Sequence, residues 1–288
     1  MYSLDCQVEN FADDTTLSAS GQTVQEINTK LSSNCNAVSG WMRANKLKLN
    51  AEKTHLLAVG TKERLNKVTS RVQVVMDEVV IKEDKSRKDE LLLGCYISAD
   101  LKWNKQIAEL KKRLKLRLNS LLYLQHIATL KTKKAIAEGI FHSVMLYCLP
   151  LFAGCERNNL KDLQVLQNCA ARIVCKAHPR TPRRILFDQI GWLSVNQMSV
   201  YYTLIMVYKI RESGQPEYLA RFLKDDGRSN RIRRCNTKLT LALQSFTFRG
   251  AQLWNTLPIS IRSSSNVRFF KLQARKWIEQ NVPRFMEE

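Results

Sequence analysis

The hydrophobic period of this chain changes once, near residue 101, and that change limits the folds open to it. Upstream, apolar residues come in short runs broken by turn-forming residues. The segment CQVENFADDTTLSASG alternates through Cys6, Val8 and the Asn10–Phe11 step, breaks at Ala12-Asp13-Asp14, and resumes with Thr15, Thr16 and Leu17. It predicts a strand, a tight acidic turn and a second strand closed by Gly21. From Gln22 to about Leu47, Val24, Ile27, Leu31, Cys35, Val38, Trp41 and Met42 recur at steps of three or four, the stripe of one long helix. Lys53–Val59 predicts a short strand, and residues 72–81 a hairpin about Asp77-Glu78. The run LLLGCYISADLKW predicts a strand bent or bulged at Gly94.

Downstream the period is helical throughout. Leu110, Leu114, Leu118, Leu121 and Leu122 line one face, and Lys111, Lys112, Arg113, Lys115 and Arg117 the other. Further helical patterns cover about 131–147, 159–177, 182–190 and 196–212. A weaker break at 213–234 contains Gly214, Pro216, Asp225-Asp226-Gly227 and the basic run Arg228 to Arg234, which predicts a mobile loop. The fold class is therefore α+β. Residues 1–100 mix strands with a helix, 101–212 are helical, and 213–288 form a basic C-terminal region.

Charge follows the same division. The 46 Lys and Arg exceed the 26 Asp and Glu to give +20, but residues 101–135 carry ten basic side chains and one acidic. Residues 221–288 carry 14 and five, so these two blocks hold 18 of the 20 net charges. Such concentration in a foldable chain points to a polyanionic partner, nucleic acid before an acidic protein. Arg231, Arg233 and Arg234 in the second block and the basic residues of the helix from Asn104 are the candidate phosphate contacts. Trp103, Tyr123, Phe246, Phe248 and Trp254 lie near these blocks and could stack on bases or pack in the core.

No run reaches the roughly 18 apolar residues of a membrane helix, and the N-terminal ten lack a signal-peptide pattern, so a nuclear or cytoplasmic, non-secreted protein is expected. The eight cysteines form no CxxC pair. Free buried thiols are expected, and no structural metal at Cys169, Cys175 and His178, where a fourth ligand is missing.

Adjacent carboxylates at Asp13 and Asp14 repel unless exposed or neutralised by a cation. They suit either a solvated hairpin turn or hard, oxygen-seeking Mg²⁺. Phe11-Ala12-Asp13-Asp14 matches a [YF]-x-D-D signature, and other motifs follow in order. Trp41 to Asn50 (WMRANKLKLN) matches W…N-x-L-x-L-N, Lys53-Thr54 a K-T pair, and Leu93-Gly94-Cys95-Tyr96-Ile97 with Leu101 and Trp103 an L-G-x-x-[IL]…L-x-W hairpin. Tyr147–Pro150, Leu163–Asn168 with Arg172, Gly191-Trp192-Leu193, Tyr208-Lys209, Pro216–Leu219 and Trp254–Pro258 continue the series. In this order the chain resembles the reverse transcriptases of non-LTR (LINE-type) retrotransposons, close to the jockey-like and CR1-like groups.

That resemblance implies a partial polymerase palm over 1–100 with a primer-grip hairpin at Leu93, Gly94 and Cys95. A helical thumb and post-thumb region at 101–212 and the basic region 213–288 would follow. It implies an RNA template and a DNA primer, or their hybrid, and two-metal phosphoryl transfer with Asp13 and Asp14 as Mg²⁺ ligands. Lys53 would protonate the leaving group or is a surface lysine; Gly94 lets backbone approach the primer or is a plain bulge. Phe11 stands where Tyr is commoner. The family's core also needs a carboxylate on a separate strand and the fingers. Of the acids before Phe11, Asp5 and Glu9 lie on the turn's own strand. The chain alone is expected not to polymerise unless the missing N-terminal portion is supplied, and a non-catalytic binding module or a relic of a transposable element remain open. The helix stripe Val24, Ile27 and Leu31 should lack a cover, making residues 1–100 the less stable part.

Overall fold

The computed structural model describes residues 6–47, 50, 53–67, 72–76, 79–82, 88–227, 229–233 and 236–285. The chain divides into two compact units, Met1–Lys102 and Trp103–Glu288. The predicted break at 212/213 falls inside the second.

The first unit is α+β. Strands β1 (Gln7–Phe11) and β2 (Asp14–Ser18) pair antiparallel, with Phe11 opposite Asp14. Helix α1 (Val24–Ala44) starts where the Thr23 hydroxyl accepts the Glu26 N–H. Helix α2 (Lys62–Lys67) is short. Strands β3 (Gln73–Met76) and β4 (Val79–Lys82) make a second hairpin, and β5 (Asp89–Leu92) and β6 (Cys95–Ser98) a third. The three hairpins are separate two-stranded sheets among the described residues.

Two expectations change here. The predicted strand at Lys53–Val59 forms no regular element; Leu56 instead packs beside the small core of Cys6, Leu31 and Val74. The segment that the period alone read as a strand bent at Gly94 is a hairpin, the form the resemblance implies there, because Leu93 (φ 48°) and Gly94 (φ 78°) both take the left-handed conformation and reverse the chain. The α1 stripe is not left bare either. Leu31 is buried and Ile27 packs beside it, under β3. One turn apart on α1, Asn28 accepts the Gln73 N–H (3.1 Å) and Ser32 the Val75 N–H (3.0 Å), closing the free edge of β3.

The second unit is helical. Helix α3 (Asn104–Tyr123) is followed by α4 (Leu130–Ala137), a wide π-turn at Glu138–His142, α5 (Ser143–Leu146), α6 (Leu149–Phe152) and α7 (Arg157–Cys175). Helices α8 (Arg183–Ile190) and α9 (Val195–Ser213) come next, then α10 (Glu217–Ala220). The C-terminal helices are α11 (Thr240–Gln244), α12 (Phe246–Thr256), α13 (Ile259–Arg262) and α14 (Val267–Asn281). A capping box starts α9: the Ser194 hydroxyl accepts the Gln197 N–H, and the Gln197 amide oxygen accepts the Ser194 N–H.

Helix α9 is apolar almost all round and joins two cores. Val195 and Met198 belong with Leu114, Phe141, Leu163 and Phe187, against α3 and α7. Leu204, Val207 and Tyr208 belong with Trp254, Phe270 and Ile278, against α12 and α14. Gly250 permits the α12 contact, since a Cβ there would sit 2.7 Å from the Val207 side chain. Gly154 has no substitute either: a Cβ would lie 2.2 Å from the Gln244 carbonyl oxygen.

Candidate nucleic-acid interface

At the acidic turn, Ala12 and Asp13 form the two-residue loop and Asp14 opens β2. Ala12 has φ 53°, a conformation that costs an L-residue about 1–2 kcal/mol. Phe11, Asp13 and Asp14 are all exposed. Lys53 is exposed too, in a turn where its N–H donates to the Asn50 carbonyl (3.2 Å) and the Thr54 hydroxyl donates to the same oxygen (2.9 Å). No hydrogen bond or ion pair joins Lys53 to Asp13 or Asp14. Among the described residues no group of three or more His, Cys, Asp or Glu side chains gathers at a single point. Two neighbouring carboxylates on one turn fall short of the converging ligand set of a two-metal centre, so no chemical step is routed through Mg²⁺ here.

In the third hairpin, Cys95 is buried, Gly94 is half-buried and Leu93 stands out at the tip of the turn. Its base is fixed by the Ser98 hydroxyl donating to Asp89, and the Gly60 N–H reaches the Ala99 carbonyl (3.0 Å).

Helix α3 carries the densest positive charge. Its inward face is Gln106, Ile107, Leu110, Leu114, Leu118 and Leu121, packed on α7 and the following turns. Leu122, expected with them, lies 100° past Leu121 and points outward. The five basic residues differ in what they touch. Lys111 is tied to Asp162 of α7, and Lys112 to Glu109 (2.9 Å). Lys112, with burial opposing and Lys105 adding, holds the Glu109 carboxyl below its ordinary range. Arg113, Lys115 and Arg117 are exposed and make no ion pair among the described residues. At 100° per residue, Arg113 and Arg117 form one flank of the outer face and Lys115 the other, with Leu116 and Tyr123 between them.

The aromatics near the charge divide sharply. Trp254 and Phe246 are buried, and Trp103 and Phe248 are half-buried, so they serve packing. Tyr123, 81% exposed, is the exception and offers a stacking face about 9 Å along the helix axis beyond Arg117.

The described part of the basic loop at 213–234, expected to be mobile, is tied down by hydrogen bonds. Asp225 and Ile232 form an antiparallel bridge, extended by Asp226 N–H to the Arg231 carbonyl (2.9 Å) and Arg233 N–H to the Lys224 carbonyl (3.1 Å). Ile232 is buried, and the Asn255 side chain of α12 clamps its backbone on both sides, accepting its N–H (2.9 Å) and donating to its carbonyl (2.8 Å). Arg231 and Arg233 are exposed, while Arg234 lies outside the described residues.

Sequence reasoning missed the arginines beneath this loop. Arg211, at the end of α9, donates to the Leu223 carbonyl (2.8 Å), to Asn230 and to Asp225 (3.2 Å), and lies over the Trp254 ring at 5.1 Å. Arg262 is buried. Each is an isolated arginine in an otherwise ordinary helical pattern, and no spacing signal sets it apart.

Comparison with protein-family models, curated proteins and solved structures returns no match. No helix of the described residues is long and apolar enough to cross a membrane. Chemically, the arrangement can hold a polyanion by charge and stacking at α3.

Proposed function

We propose that the chain binds RNA or an RNA–DNA hybrid through phosphates, as the palm, thumb and downstream portion of a non-LTR retrotransposon reverse transcriptase. It resembles an RNA-directed DNA polymerase. Its acidic turn supplies Asp13 and Asp14 of the ligand set such an enzyme needs. The observation that carries the binding reading is the outer face of α3, where Arg113, Lys115 and Arg117 are exposed and unneutralised around Leu116 and Tyr123. Pairing within the helix, as of Lys112 with Glu109, does not reach these three among the described residues.

The test is fluorescence anisotropy on a labelled RNA–DNA hybrid across a salt series. Affinity should fall linearly on logarithmic axes, and each phosphate contact removed should lower the slope by about 0.9. The Arg113→Gln, Lys115→Gln, Arg117→Gln variant should lose roughly two to three units of slope. An unchanged slope in that variant would sink the reading. Mg²⁺-dependent primer extension by the chain alone, above an Asp13→Asn, Asp14→Asn control, would show that the turn needs no added carboxylate.

A further inference from the structure

Arg262 sits in a setting that is costly for a charged side chain without a counterpart. It is 7% exposed, its Nε donates to the Leu257 carbonyl (3.1 Å), and its Nη1 is buried with no hydrogen-bond partner among the described residues. A buried unpartnered donor on a charged group is costly and calls for an explanation such as an ion or a water. Among its charged neighbours are Arg231, Arg211, Asp225 and Asp226, and burial together with Arg231 works against its charge. Two of those neighbours are already committed: Arg211 is bonded to Asp225, and Asp225 also accepts the Gly227 N–H (2.8 Å).

Beside Arg262, a cavity of about 380 Å³ opens between Asp226, Arg231, Ile232, Arg233 and Asn255. Its walls are held by hydrogen bonds: Asn255 clamps Ile232, and the Asn230 side chain donates to the Arg262 carbonyl (2.8 Å). Arg231 and Arg233 make no ion pair among the described residues. Two guanidiniums of the lining, Arg231 and Arg233, therefore meet one carboxylate, Asp226, with Arg262 close enough to feel the charges of Arg231 and Asp226. Guanidinium forks match tetrahedral oxyanions in bidentate geometry, and an excess of positive charge that persists beside a carboxylate favours a doubly charged group.

We propose that the cavity bounded by Arg231 and Arg233, with Arg262 behind it, is a site for a phosphate group. The group could come from a nucleic-acid strand, which rests on the function proposed above, or from a free phosphate. The chemistry of recognition is the same.

The experiment is calorimetric titration of the full chain with inorganic phosphate, followed by competition with a short 5′-phosphorylated oligonucleotide. The wild-type chain should bind phosphate, and Arg231→Gln and Arg262→Lys should each weaken binding at least tenfold. Arg231 is exposed, so Arg231→Gln keeps the test valid if Arg262→Lys fails to fold, which circular dichroism would reveal. Absence of phosphate binding, or equal binding by wild type and Arg231→Gln, overturns the site. Competition by the oligonucleotide assigns the phosphate to nucleic acid; phosphate binding without competition supports a free-phosphate site. The Arg113→Gln, Lys115→Gln, Arg117→Gln variant should bind inorganic phosphate as wild type does. A chain that binds phosphate here but no RNA–DNA hybrid would remove the proposed function and leave this site standing.

Discussion

The two units carry comparable amounts of chemistry on very different amounts of core. Of the buried apolar residues among those described, six lie in Met1–Lys102 and 40 in Trp103–Glu288, although the second unit is less than twice as long. The first unit rests on one helix laid over one hairpin, with the β1–β2 hairpin almost wholly exposed. The second is organised around α9, a helix buried on nearly every side. Full burial of each large apolar side chain contributes about 1.5–3 kcal/mol, so the difference in core is a difference in resistance to local opening. The acidic turn thus sits on the more easily opened unit, and the unpaired arginines on the more rigid one.

The largest effects should come from the second unit. Phe141 is fully buried beside Leu114 and Leu163, and Phe141→Ala should cost about 3–5 kcal/mol in chemical denaturation. Limited proteolysis of the wild-type chain should cut first between residues 6 and 102. First cuts within 103–200 would reverse the comparison.

A pH dependence should mark the same unit. His142, on the π-turn, packs against Trp192 at 4.2 Å with the ring planes tilted by 57°, and the Trp192 indole donates to Glu138 at the other end of that turn (2.9 Å). Gln167 donates one amide hydrogen to the Leu193 carbonyl (2.9 Å) and faces His142 Nε2 at 3.2 Å, which casts Nε2 as the acceptor of a neutral ring. Burial pushes the His142 pKa down to about 4. An unfolded histidine titrates near 6.5, so between these values the unfolded chain holds a proton that the folded chain lacks. The stability is therefore complete above about pH 6.5 and falls as pH drops toward 4, by about 3 kcal/mol from this residue. His142→Leu should flatten that part of the profile while lowering stability at neutral pH. A profile as steep as wild type would show that carboxylates, not His142, set the acid limit.

How much of this is legible in sequence depends on the range of the interaction. Thr23 capping α1, the Leu stripe of α3 and the apolar α9 are local patterns, and their helices form where the periods place them. The cover on α1 was not legible, because it depends on Asn28 and Ser32 meeting backbone groups more than 40 residues away. Gly94 was visible as a break, but whether a glycine bends a strand or reverses it depends on its neighbour, and Leu93 is a poor advertisement for a left-handed turn. At the candidate interface the charge of α3 was plain, yet spacing could not tell Lys111, spent on Asp162, from Arg117. Arg262 carried no signal at all, since the groups around it, Asn230, Arg231 and Asp226 among them, come from a segment some 30 residues upstream.

Leu93 offers the smallest effect and the sharpest comparison inside the weaker unit. With φ 48° it holds a conformation that Asn adopts at far lower cost, and Asn-Gly is the favoured pair for such a two-residue hairpin loop. Its side chain is 44% exposed, so little burial is lost on replacement. Leu93→Asn should raise the protection of amides in 89–98 by roughly 0.5–1 kcal/mol in hydrogen exchange. If the hairpin only supports the fold, hybrid affinity stays unchanged. Strained residues persist where surroundings or function hold them. A variant that is better protected but binds the hybrid several-fold more weakly would mean that Leu93 is kept for contact with a nucleic-acid end. Lower protection would mean that its exposed side chain stabilises the turn in a way the backbone angles do not explain.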